Sequence, residues 1–190
     1  MKMFYEVVID SSETANKCTI LPLASRPDFH LIRIKKIKKL PTLNSPILLH
    51  HEGECLTEIR KSLGQVQAIA SIDCVWRRLE GILARVERPL PRFARIPDGF
   101  QTAYPRKSSD NSDPDGGLAT IEALFIAGAL LGNWDATLLS KYYFGRKFVE
   151  LNRNRFQELG VYPENDQEAM PVLSKPPRHA LQRRRDRERV

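Results

Sequence analysis

Ala68-Ile69-Ala70-Ser71-Ile72-Asp73-Cys74-Val75-Trp76-Arg77-Arg78-Leu79 is the stretch on which the reading of this chain turns. A short apolar run that stops at an aspartate and passes into a helical pattern predicts a buried strand, then a loop and a helix. In an α/β sheet the carboxyl end of such a strand is where ligands collect. Here that end carries a carboxylate, Asp73, and a broad flat ring, Trp76, within one turn of each other. Two readings stay open on these residues alone. Either Asp73 caps a helix beginning near Val75 and Trp76 is core, or both face a ligand.

Outward from this stretch, strands are expected over residues 4–9, 29–34 and 47–50, where β-branched and apolar residues alternate or run together. Leu56, Ile59 and Leu63 predict a helix over 52–63 ended by Gly64, and another helix is expected from Val75 to Val86. Pro89, Pro91 and Pro97 make the next segment extended or turned. Residues 101–117 are rich in Pro, Ser, Asp and Gly and read as a mobile loop. Leu118 to Leu131 is apolar on nearly every face, which predicts a deeply buried helix. Helices are expected over 135–143 and 146–159, and after Gly160 the chain turns Pro- and charge-rich and should lose order. Strands alternating with helices, then helices alone, predict an α/β fold with a helical C-terminal portion.

The chain has 190 residues, 42% hydrophobic and 28% charged, an ordinary balance for a globular protein with a substantial core. No apolar run approaches the 18 residues or so of a membrane span, so no membrane partner is expected. Cys18, Cys55 and Cys74 are odd in number and widely spaced, which argues against a disulfide framework and a zinc site. With a strand-like start at Met1–Glu6 that lacks a signal-peptide layout, this fits a reducing cytoplasm. His50 and His51 with Glu52 and Glu54 have no third well-spaced ligand after them, so a pocket rim is expected there, not a metal. Of the net charge of +7, five units fall between Lys175 and Val190, where seven basic residues face two acidic ones. Such a tail either binds nucleic acid through its phosphates or simply solubilises the chain. The cluster Arg33–Lys39 reads as a lysine-guarded edge strand or a phosphate-facing ridge.

Four stretches in order, Asn16-Lys17-Cys18-Thr19, Ser71–Leu79, Leu118-Ala119-Thr120-Ile121-Glu122-Ala123 and Leu138–Asn152, resemble the ribosome-biogenesis aminocarboxypropyltransferases that finish small-subunit rRNA. The DTW-domain relatives acting on tRNA uridine share the Asp73-to-Trp76 region less closely. The likeness spans roughly residues 4–158. It implies a SPOUT-like fold with a trefoil knot that cups S-adenosylmethionine, and transfer of a 3-amino-3-carboxypropyl group to a uridine or pseudouridine-derived base in RNA, with rRNA ahead of tRNA. On this view residues 1–66 form an N-terminal α/β part, 67–160 the knotted cofactor-binding part and its helices, and 161–190 a basic disordered tail. The resemblance implies cofactor contacts from Thr19, Trp76, Leu90, Leu118, Thr120 and Ala123, with Thr19 and Thr120 at the carboxylate and the others around the adenine. Asp73 either fixes the loop geometry by accepting backbone N–H bonds or takes the proton from the base nitrogen, as a catalytic residue. Arg77, Arg78, Arg146 and Lys147 are the expected RNA contacts, and Glu122, acidic in an apolar helix, needs a structural partner. The rival readings are an RNA methyltransferase on the same scaffold and a non-catalytic RNA-binding assembly factor.

Overall fold

Five parallel strands form one sheet, and the order across it explains where a ligand can go. In the computed structural model, which describes residues 3–12, 18–34, 39–105 and 117–174, the strands are β1 (Phe4–Ile9), β2 (Phe29–Arg33), β3 (Ile47–Cys55), β4 (Ala68–Asp73) and β5 (Arg92–Arg95). They run in the order β2-β1-β4-β3-β5. β4 pairs with β1 along its whole length, from Phe4 against Ala68 to Ile9 against Asp73, and lies between β1 and β3. The sheet therefore unites the residues before and after position 66. Asn16, Lys17, Lys35–Lys38, most of the polar loop (106–116) and the basic tail 175–190 fall outside the described residues.

Both faces of the sheet are covered, as a parallel sheet requires. Val7, Ile9, Ile47 and Ile69 pack into a core with α1 (Leu56–Ile59), α3 (Thr120–Leu130) and α4 (Gly145–Glu158). The alternate residues Val8, Leu48 and Ala70 face a smaller cluster built from Ile34, Leu40, Leu43 and α2 (Leu79–Leu83). Burial is near-continuous along β1, and even Glu6 is buried, accepting from Asn44 N (2.9 Å), Ser45 N (3.1 Å) and the Ser45 hydroxyl (3.0 Å). The helix expected near 118–131 is α3, buried over almost all its surface. α4 keeps Phe148, Val149, Asn152 and Phe156 inward, close to the expected 146–159.

Several expectations need correction. The helix expected over 52–63 is a single turn, because β3 continues to Cys55 and bulges between Leu49 and Glu54, which both face Ala94 of β5. Gly53 makes this possible: a Cβ there would stand 2.6 Å from the Phe93 carbonyl carbon and 2.7 Å from that of Ala94. The helix expected over 75–86 divides into a 3₁₀ turn, Trp76–Arg78, and the short α2, because Val86 leaves to bridge Leu40. Pro91 and Pro97 bracket a true edge strand, β5, where the prolines alone predict only an extended or turned segment. The helix expected over 135–143 is a 3₁₀ turn, Ala136–Leu139, with the Asp135 side chain accepting from Thr137 N. Residues 161–174 do not lose order. Asn165 caps α5 (Asp166–Ala169), Trp134 Nε1 donates to the Ala169 carbonyl (3.3 Å), and Ser174 N donates to the Ser140 carbonyl (2.8 Å).

The close approach at Gly53 gives a direct test. Gly53→Ala should lower the unfolding free energy by about 3 kcal/mol, because the β5 backbone cannot retreat without breaking its ladder with β3. Urea denaturation followed by circular dichroism would measure it, and an unchanged midpoint would contradict the tight β3–β5 contact.

Candidate functional site

The carboxyl ends of β3, β4 and β5 meet the start of α3 around a cavity of about 460 Å³, within the range of small-molecule sites. Leu49, His50 and His51 of the β3 bulge form one side. Ser71, Ile72, Cys74 and Trp76, at and just past the end of β4, form the second. Ala94 to Phe100 form the third, and Gly117, Leu118, Thr120 and Ala123 close the fourth. The stretch that opened the sequence reading thus supplies one whole wall.

Asp73 sits behind this wall, buried. Its Oδ1 accepts from the Thr120 hydroxyl at 2.6 Å and its Oδ2 from the Cys18 thiol at 2.8 Å. One carboxylate thus ties the end of β4 to the first residue of α3 and to the segment carrying Thr19. The donors to Asp73 are two side chains, not the backbone N–H groups expected of a loop-fixing carboxylate. Burial, and then the neighbouring Asp73 carboxylate, push the Cys18 thiol up from 9.0 to about 12. The thiol therefore stays protonated and keeps donating. Because the folded-state value is the raised one, its contribution to stability is intact below about pH 9 and is lost as pH climbs toward 12.

The wall after β5 is held from outside. Buried Asn152 of α4 accepts from Gln101 N (2.7 Å) and donates to the Gln101 carbonyl (2.8 Å). Arg155 Nε donates to the Asp98 carbonyl at 3.1 Å. The Phe100 ring, on the cavity wall, packs on Phe156 of α4 at 4.9 Å between centroids. Glu122, fully buried in α3, accepts from the Thr102 hydroxyl (2.6 Å), Ala103 N (2.9 Å), Ala119 N (2.8 Å) and the Tyr142 hydroxyl (2.8 Å). This is the structural partnership its sequence context demanded, and it caps α3.

On the opposite rim the aromatic residues stack. His50 lies 4.5 Å from both Phe93 and His51, and His51 meets the Trp76 ring edge-on at 5.5 Å. His50 Nδ1 accepts from Glu52 N (3.3 Å), so its Nε2 carries the proton that faces Glu80 Oε1 at 3.2 Å. The pocket-rim reading of this histidine pair is what the structure shows. Among the described residues no three His, Cys, Asp or Glu side chains gather as a metal site, and no helix is long and apolar enough to cross a membrane.

Trp76, Leu118, Thr120 and Ala123 all line the cavity. Thr19 stands beside Cys18, half-buried and outside the lining. Leu90 is also outside it, because it packs with Val8 and Leu48 on the α2 face. Ile96 is an apolar wall residue instead. Arg77 is exposed beside the cavity's Trp76, while Arg78 is turned back to buried Asp10, Nη1 to Oδ2 2.8 Å. Arg146 and Lys147 are exposed in the first turn of α4. Sequence reasoning missed Leu49, Ser71, Ile96 and Phe100. A hydroxyl inside an otherwise apolar buried run was the one available signal, at Ser71.

Two outcomes follow from the Asp73 clamp. At about pH 8.5, near the unperturbed thiol value, iodoacetamide should modify Cys74, at the cavity, well before Cys18. Mass mapping would check this, and early Cys18 labelling would contradict its burial against Asp73. Asp73→Ala should expose Cys18 to the reagent and cost about 2 kcal/mol or more of unfolding free energy, because two buried donors lose their acceptor.

No protein-family model matches the chain, and no curated protein matches it. Among solved structures it is similar to the SAM-dependent rRNA:acp-transferase Tsr3 from Vulcanisaeta distributa, with a TM-score of 0.58, 19% identity and 83% of each chain covered. At that identity the likeness is one of fold.

Proposed function

We propose that this chain is an S-adenosylmethionine-dependent transferase that places the 3-amino-3-carboxypropyl group on a uridine or pseudouridine-derived base of rRNA. The observation that carries the reading is the cavity at the carboxyl end of β4, lined by Trp76, Leu118, Thr120 and Ala123, on a fold similar to that of a SAM-dependent rRNA:acp-transferase. The strand order β2-β1-β4-β3-β5 supports a SPOUT-like knotted scaffold in this reading. The three cysteines, none in a disulfide, are in keeping with work on pre-ribosomal particles in the cytoplasm.

The residues suit the cofactor. Trp76, Leu118 and Ala123 offer apolar walls for an adenine ring. The Thr120 hydroxyl is committed to Asp73, which leaves its backbone N–H, at the first turn of α3, as the donor for an amino-acid carboxylate. Thr19, the other residue assigned to the carboxylate, follows Cys18, which is held on Asp73, and itself stands outside the cavity lining. Bound S-adenosylmethionine supplies a carbon beside a sulfonium that a base nitrogen can attack as the carbon–sulfur bond breaks. Since both Asp73 oxygens accept hydrogen bonds from the protein, we assign Asp73 a positioning role. The pocket gains rate by holding the reacting atoms in line and away from water. Arg77, Arg146 and Lys147 are exposed and would meet RNA phosphates, whereas Arg78 braces Asp10.

Label transfer tests the reading. The protein would be incubated with small-subunit rRNA or pre-ribosomal particles and cofactor labelled in either the carboxyl or the methyl carbon. Carboxyl label should enter RNA and methylthioadenosine should accumulate. Methyl label in RNA with S-adenosylhomocysteine would instead establish a methyltransferase, and no label in RNA with either cofactor would favour the assembly-factor alternative.

A further inference from the structure

His50 and His51 are neighbours in one strand, yet their rings lie together. Successive side chains of a strand point to opposite faces, but these two rings stack, with centroids 4.5 Å apart and planes 29° from parallel. The β3 bulge is the cause. Leu49 and Glu54 both face Ala94, so His50 to Gly53 leave the ladder, and a bulge re-aims the side chains it carries. Phe93 of β5 stacks on His50 in turn, at 4.5 Å and 24°. His50 is therefore the middle of a three-ring stack. It is held there with its side chain 1% exposed and its two ring nitrogens bonded to Glu52 N and Glu80. His51 ends the stack. Its side chain is 48% exposed and borders the cavity. Among the described residues only the exposed Glu52, 3.9 Å from its Nε2, stands within ion-pair reach.

A flat ring backed by two others and left half in solvent is a surface for a further flat ring. Trp76 decides which ring that is. Its plane and that of His51 are 76° apart, so one planar group cannot lie flat on both. An adenine lying on Trp76, between Leu118 and Ala123, stands across His51 and does not cover it. The reaction brings a second planar group, the acceptor base, and that base arrives from solvent over the rim where His51 lies. Arg95, beside Asp98 in the cavity lining, and Arg77, exposed next to Trp76, offer charge for the flanking phosphates. A base can lie on such a ring only when it has left its own stack, as single strands and loops of RNA allow. We propose that the exposed face of His51 is the stacking platform for the acceptor nucleobase, and that the RNA it takes is single-stranded or looped at that nucleotide. This inference rests on the transferase reading above.

The test measures binding of the full chain to a short single-stranded oligouridine, to the matching abasic strand and to S-adenosylmethionine. Wild type should bind the oligouridine more tightly than the abasic strand, because only bases stack. His51→Ala should weaken oligouridine binding about tenfold and leave the abasic-strand and cofactor affinities unchanged. His51→Phe keeps a flat face without the nitrogens and should stay within about twofold of wild type. Pairing the strand with oligoadenylate should abolish the difference between wild type and His51→Ala, and a difference that survives pairing would overturn the proposal. Equal losses on the oligouridine and the abasic strand would overturn it too, since His51 would then contact the sugar–phosphate chain. A loss in His51→Phe as large as in His51→Ala would assign the binding to the ring nitrogens, and unchanged affinity in His51→Ala would remove the platform altogether. A matching loss of S-adenosylmethionine affinity would overturn the proposal by moving the ring to the cofactor. Base-dependent binding that is lost in His51→Ala, in a chain that binds no S-adenosylmethionine, would keep the platform and refute the transferase reading.

Discussion

The Asp73 carboxylate is the constraint on which the rest of the site depends. It is buried at the end of the central strand β4 and holds two donors that come from distant parts of the chain, Cys18 and Thr120. A buried charge without partners would be too costly to keep, so the three segments are locked together or not formed at all. That lock puts the start of α3, with the backbone N–H groups of its first turn, against the open end of the sheet. It also keeps Trp76, three residues on, at the cavity and not in the core. Thiol protonation is part of the lock, since a thiolate beside Asp73 could neither donate nor tolerate the charge.

A second layer of buried polar groups shapes the opposite wall. Glu122 and Asn152 reach from α3 and α4 to the backbone of residues 101–103, and Arg155 reaches Asp98. The segment after β5 has little regular structure of its own, yet it is fastened at these points to two packed helices. A wall built this way can present Ile96, Pro97 and Phe100 in fixed positions without a strand or helix of its own.

Much of this could be read in the sequence where one local rule decided the matter. The apolar run Ala68–Ile72 ending in Asp73 could hardly be anything but a buried strand, and the apolar 118–131 segment had to be an interior helix. Glu122 announced its own partners by being acidic there. The failures came where a distant contact overruled local pattern. Leu56, Ile59 and Leu63 have helical spacing, but Gly53 lets β3 run on against β5, and nothing near position 53 reveals the strand it will meet. Leu90 and Ile96 are equally apolar, and only the path of β5 puts the second in the cavity and the first on the other face. Trp134 and Ser140 likewise tie the segment after Gly160 through contacts whose partners lie far along the chain.

On the proposed reading, the cavity at the end of β4 binds S-adenosylmethionine with Trp76 as a wall. Calorimetric titration of the wild-type chain and of Trp76→Ala with the cofactor is the decisive measurement. Saturable binding at one site is expected, weakened tenfold or more when the ring is removed, since a buried aromatic wall contributes at least about 1.4 kcal/mol, a factor of ten. Absence of binding to the wild-type protein, or equal affinity for the two proteins, would contradict it.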